Sequence, residues 1–103
     1  MAFEKVTTTS EVPEGEVRVF SAGGRSIALA HVAGSGFYAI DNLCTHDGGP
    51  LGEGTLVAGT VECPRHGARF DVKTGAVRAL PAVRPVKAYP VQVEGDEVSV
   101  DVG

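Results

Sequence analysis

Turn-forming residues punctuate this chain at a density that leaves little room for helix: fourteen glycines and six prolines fall among 103 residues. The valine-rich runs between them lack helical periodicity, so short strands joined by tight turns are expected and the class is all-β. "EVRVFS" (Glu16 to Ser21) alternates Val17 and Val19 with Arg18 and Phe20; the turn signal "AGG" follows, and "RSIALAHV" returns as a second strand. "GFYAID" (Gly36 to Asp41) is a third strand, ending just before Cys44. "GTVECP" and "GARFDV" read as two short strands about the turn "RHG", and "KTG" is a further turn. From Pro85 onward, Val91 and Val93 alternate with Gln92 and Glu94, "EGDE" turns the chain, and Val98, Val100 and Val102 return it. The early stretch "TTTSEVPEGE" offers one irregular turn, and helix content is expected to be minor.

A chain of this length fits one domain, 1–103, near the size at which a single core suffices without staples. Its central part, about 43–80, is richer in glycine and in ligand-type residues than the flanks, as an insert-like subdomain on a β base would be. The net charge is −4 and the basic residues are scattered, which argues against a phosphate-binding stripe and hence against nucleic acid. Met1 to Ser10 lacks the apolar core of a signal peptide, and no run of about 18 apolar residues is present to span a bilayer. A cytoplasmic protein is expected, and in that setting two cysteines spaced alongside histidines favour metal or redox chemistry over a disulfide.

Cys44-Thr45-His46, sixteen intervening residues and then Cys63-Pro64-Arg65-His66 form the pattern C-x-H…C-x-x-H. Two thiolates and two imidazoles would satisfy a closed tetrahedral zinc site, which makes a zinc-stabilised interaction module the alternative from another class. Classical zinc fingers keep their cysteines together and their histidines together, whereas here each loop brings one of each. That distribution suits a two-metal cluster in which one iron takes both thiolates and the other both imidazoles.

At "CTHDGGPL" and "CPRHGARFD" the sequence resembles the Rieske [2Fe-2S] family, in particular the soluble ferredoxins of ring-hydroxylating dioxygenase systems. The resemblance implies a β-sandwich base bearing a small cluster-binding β subdomain. It also implies one [2Fe-2S] cluster per chain, with Cys44 and Cys63 on the buried iron and His46 and His66 on the outer iron. Gly48, Gly49, Pro50, Pro64 and Gly67 would supply turns that aim backbone N–H groups at the cluster sulfurs. High-potential relatives carry an extra cysteine in each box, where this chain has Gly49 and Arg65, and place hydroxyl donors where it has Ala68 and Phe70. Donors to sulfur stabilise the reduced cluster, so a low potential is expected, and Asp47 beside a ligand would push the same way.

The resemblance implies an electron carrier with no catalysis of its own, passing single electrons from a flavoprotein reductase to a terminal oxygenase. Docking is expected near His46 and His66, with the acidic surface favouring a basic partner, and the protein is expected to be a monomer. The small Rieske-like subunit of assimilatory nitrite reductase is the alternative within the redox class. His31 reads as an ordinary strand histidine, Arg65 as a solvated loop charge, Leu51 and Phe70 as packing. Pro81 resembles the family's proline segment covering the cluster and reads equally well as a loop proline.

Overall fold

The structure, a computed structural model, describes residues 3–45, 48–65, 67–80, 82 and 84–103. Its strands are β1 (Glu4–Thr8), β2 (Val17–Ala22), β3 (Arg25–Val32), β4 (Gly36–Asp41), β5 (Thr55–Val57), β6 (Thr60–Glu62), β7 (Arg69–Asp71), β8 (Val77–Ala79), β9 (Ala88–Tyr89), β10 (Val91–Glu94) and β11 (Glu97–Val100). Among the described residues, helix is confined to two three-residue 3-10 turns, Thr9–Glu11 and Leu51–Glu53. All pairing is antiparallel, in three sheets of order β1-β11-β10, β2-β3-β4-β9 and β5-β6-β7-β8.

The second sheet is the middle layer, and β3 shows why. Successive side chains of a strand point to opposite faces. Ile27 and Leu29 therefore enter a core shared with Val98 and Val100 of the first sheet, while Ala28 and Ala30 enter one shared with Val61 and Phe70 of the third. All four β3 side chains are fully buried, so this strand is hydrophobic on both faces. The residues facing the third sheet are the small ones, which lets that sheet and the cysteine loops lie close. β4 repeats the division, with Ala39 on one side and Ile40 on the other.

The expected strands at β2, β3, β4, β6, β7, β10 and β11 are all present, and the irregular turn near the start is the Thr9–Glu11 turn. Four strands carried no readable signal. β1 pairs with β11 from the opposite end of the chain, and a bulge between Lys5 and Thr7 breaks its alternation. β5 and β8 are three-residue edge strands of mixed polarity, and β9 is only two residues long. Pro90 separates β9 from β10. It has no N–H to offer a ladder, and the run changes there from the middle sheet to the first, its carbonyl accepting from the Asp101 N–H at 3.1 Å.

The end of β4 is pinned just ahead of the cysteine region. The Asp41 N–H donates to the Lys87 carbonyl at 2.9 Å, and the Tyr89 hydroxyl donates to Asp41 Oδ1 at 2.5 Å. Asn42 continues the anchoring: its Oδ1 accepts from the Gly52 N–H at 2.6 Å, and its Nδ2 donates to Ser26 Oγ at 3.0 Å. Burial of the ring, then the hydrogen bond and charge of Asp41, push the Tyr89 phenol up to about 12. A pKa raised on folding makes stability complete below the unfolded value near 10 and erodes it as pH climbs through the folded one. Chemical denaturation from pH 9 to pH 12 should therefore show an alkaline loss that Tyr89→Phe removes, with that variant about 1 kcal/mol less stable at neutral pH.

Candidate metal centre

Both cysteines lie 1% exposed in the core between the middle and third sheets, packed among Ile40, Leu51, Ala68 and Phe70. Each heads a loop closed by the same two backbone hydrogen bonds. In the first, the Gly48 N–H donates to the Cys44 carbonyl and the Cys44 N–H to the Gly49 carbonyl, both at 2.8 Å. In the second, the Gly67 N–H donates to the Cys63 carbonyl at 3.2 Å and the Cys63 N–H to the Ala68 carbonyl at 2.7 Å. The glycine four residues after each cysteine has φ near +75 to +79, a conformation that costs a residue with a Cβ roughly 1–2 kcal/mol.

A third loop repeats the ladder without a cysteine. The Gly75 N–H donates to the Asp71 carbonyl at 2.7 Å, the Asp71 N–H donates to the Ala76 carbonyl at 2.8 Å, and Gly75 has φ of +81. Here the head residue displays what the loop does to its side chain. Asp71 Oδ1 accepts the backbone N–H groups of Lys73 at 2.8 Å and Thr74 at 3.3 Å, and Oδ2 accepts from Arg78 Nη2 at 3.0 Å. The loop thus turns amides inward on the side chain of its head residue, here Asp71 Oδ1, where each of the other two loops has a cysteine side chain. Sequence reading missed this third copy, although its signal is a glycine four residues after the head in "CTHDG", "CPRHG" and "DVKTG" alike.

An open concavity of about 450 Å³ lies beside the first loop, lined by Leu43, Cys44, Thr45, Gly48, Arg84 and Pro85. Thr45 Oγ1 donates to the Arg84 carbonyl at 2.5 Å, fastening the 84–86 segment to the loop. Ala82 and Val86 from the same stretch enter the core that holds the cysteines. Ala68 and Phe70 are fully buried there, so the two positions lacking hydroxyls do pack in the core that holds the thiols. Arg65 is exposed.

His46, His66, Asp47 and Pro81 lie outside the described residues. His31 is structural: its ring stacks on Phe37 with centroids 4.0 Å apart, and Nδ1 donates to the Val12 carbonyl at 2.8 Å. The donor chemistry of the described half fits an iron–sulfur group, because two soft thiols stand out of water at the heads of matched loops.

Two buried thiols at the heads of matched loops are a donor set suited to a metal cluster. Comparison with known proteins gives the kind: a family model described as the Rieske [2Fe-2S] domain matches residues 2–90, and the chain belongs to that family. Its cofactor is the Rieske [2Fe-2S] cluster. The chain is 42% identical over 92 residues to the ferredoxin component of the naphthalene 1,2-dioxygenase system of Pseudomonas aeruginosa, covering 89% of this chain and 88% of that protein. Among solved structures it superposes on the ferredoxin of carbazole 1,9a-dioxygenase from Nocardioides aromaticivorans with a TM-score of 0.91 and 39% identity over 97% of both chains. It also matches a chain from a complex of reduced oxygenase and oxidised ferredoxin in carbazole 1,9a-dioxygenase, with a TM-score of 0.87 and 35% identity over 95% of this chain and 91% of that one.

The third loop gives a pH signature. Burial by itself raises the Asp71 pKa, but the hydrogen bonds from Arg78 and from the Lys73 and Thr74 amides, with the charge of Arg78, outweigh it and hold the carboxyl below its ordinary range. A depressed folded pKa gives stability present above the unfolded value of 3.8 and lost as pH falls through the folded one. Asp71→Asn should cost about 1 kcal/mol at pH 7 by denaturant titration, with the difference from the parent shrinking as pH is lowered through that window.

Proposed function

We propose that this protein is the ferredoxin component of a ring-hydroxylating dioxygenase system, carrying single electrons from a flavoprotein reductase to a terminal oxygenase in the cytoplasm. The observation that carries the reading is the matched pair of cysteine-headed loops in a chain that aligns along nearly its whole length with dioxygenase ferredoxins. When bound, the cluster takes up and releases one electron at a time. In this assignment Cys44 and Cys63 hold the inner iron, which their burial supports, and His46 and His66 hold the outer one. The Arg65 amide, two residues after Cys63, occupies the place in its loop that the Lys73 amide has in the Asp71 loop, which supports it as a donor to the cysteine sulfur.

The same assignment sets the direction of the potential. Neutral imidazoles place Rieske centres across about −150 to +300 mV, and hydrogen-bond donors to sulfur move a centre upward within that range. Buried Ala68 and Phe70 offer none, so a potential toward the bottom of the range follows. Partners dock near His46 and His66, the residues assigned here to the outer iron. The chain acts as a monomer with a single domain, whose cluster-binding part spans about 43–80.

Purified anaerobically, the protein should contain two irons and two acid-labile sulfides per chain. The dithionite-reduced form should give an EPR signal with an average g below the free-electron value. One zinc with neither iron nor sulfide would instead establish the structural-metal alternative. Phe70→Tyr and Ala68→Ser should each raise the midpoint in a redox titration, and a parent midpoint well above zero would overturn the argument from missing hydroxyls.

A further inference from the structure

Charge is segregated along this chain in a way that its total conceals. Between Leu43 and Lys87, six cations (Arg65, Arg69, Lys73, Arg78, Arg84, Lys87) face four carboxylates (Asp47, Glu53, Glu62, Asp71), a balance of +2. The two flanks together carry only Lys5, Arg18 and Arg25 against nine carboxylates, a balance of −6. The flanks build the first sheet and most of the middle one, whereas the central stretch builds the third sheet and the cysteine loops.

Ion pairing sharpens the asymmetry. Arg69 is paired with Glu62 at 3.2 Å and Arg78 with Asp71 at 3.0 Å, while Lys73 and Lys87 each lie 5.3 Å from a tyrosine ring centroid, over Tyr38 and Tyr89. Arg65 and Arg84 remain as exposed guanidinium groups with no ion pair among the described residues. One is two residues from Cys63; the other lines the concavity beside Cys44. Of the carboxylates in this stretch, Glu53 is exposed and outside an ion pair among the described residues, and Asp47 lies outside them. Leu43, 54% exposed, borders the same concavity, and Leu80, 76% exposed, ends the strand-bearing stretch just before the Ala82 to Val86 segment.

We propose that the cluster-bearing end of this protein is a basic docking face, with Arg65 and Arg84 as its charges and Leu43 and Leu80 as its apolar contacts. Its occupant is a redox protein whose own face presents Asp and Glu carboxylates around an apolar spot. This rests on the electron-carrier reading and reverses the expectation, drawn from net charge alone, of a basic partner. The physical reason is screening: at physiological ionic strength the Debye length is about 8 Å, so an approaching partner responds to the charges at the contact and much less to the acidic sheet behind it. Exposed Leu43 beside Arg84, a cation without an ion pair among the described residues, has the composition of an apolar contact with a charged rim.

Small redox probes read this surface without a known partner. The reduced holoprotein is oxidised in a stopped-flow spectrometer by ferricyanide, a trianion, and by hexaamminecobalt(III), a trication, over a salt series. The expected result is a ferricyanide rate that falls about tenfold with rising ionic strength and a cobalt rate that rises. Arg65→Glu with Arg84→Glu should invert both slopes, while Glu14→Lys with Glu94→Lys on the flanks should leave their signs unchanged. A ferricyanide rate that rises with salt in the parent protein would mean that the total charge governs approach, and would overturn the proposal. Should Arg65→Glu fail to retain the cluster, Arg65→Gln with Arg84→Glu takes its place and should abolish the ferricyanide slope. A second readout needs no electron transfer: relaxation enhancement of amide protons by an anionic and a cationic nitroxide. The anionic probe should be favoured at Leu43, Leu80 and Arg84 and the cationic one at Glu14 and Glu94, and the reverse pattern refutes the proposal. Absence of iron and sulfide would sink the electron-carrier reading, and the nitroxide map would then decide the charge of this face by itself.

Discussion

Two backbone hydrogen bonds that close a six-residue turn around its first side chain underlie everything the centre does. One runs from the fifth residue's N–H to the first carbonyl, the other from the first N–H to the sixth carbonyl, and a glycine in left-handed conformation makes both reachable. The turn fixes where its head residue points. Repeated at Cys44 and Cys63, it sets two thiols in one core by main-chain geometry, with side-chain packing from Ile40, Leu51 and Phe70 completing the floor. Asp71 heads the same turn and fills it with a carboxylate that accepts the Lys73 and Thr74 amides and Arg78.

The middle sheet makes this precision possible. A strand hydrophobic on both faces couples two cores, so the loops ride on a layer that is itself held from behind by Val98 and Val100. The contacts from Tyr89 to Asp41 and from Gly52 to Asn42 carry that restraint to the entrance of the first loop. Gly75 shows how closely the parts approach: a Cβ there would stand 2.0 Å from the Val86 carbonyl oxygen, so the third loop and the segment leading to β9 pack backbone against backbone.

Much of this was legible in the residues. The β2–β3 hairpin announces itself because two β-branched and apolar runs flank Gly23-Gly24, a two-residue turn with positive φ at both positions. The two buried cysteines are legible as a pair because soft donors are scarce and each stands in a Cys/His box of specific spacing. β1 was hidden because its partner, β11, lies at the other end of the chain and its apolar pattern is broken by a bulge. The third loop was hidden because aspartate followed by glycine reads as an ordinary turn, with nothing in its chemistry to match a cysteine. Charge segregation was hidden by averaging: a total of −4 is the sum of two regions of opposite sign, and only the layering of the sheets shows that they face different ways.

The first and last strands, β1 and β11, are neighbours in the outer sheet, and the middle sheet stands between that layer and the thiols. Anything joined to the chain through β1 or β11 therefore leaves from the layer on the far side of the middle sheet from the thiols. A chain tethered by its tail to an electrode or a larger assembly would present its redox end outward, with the contact side left clear.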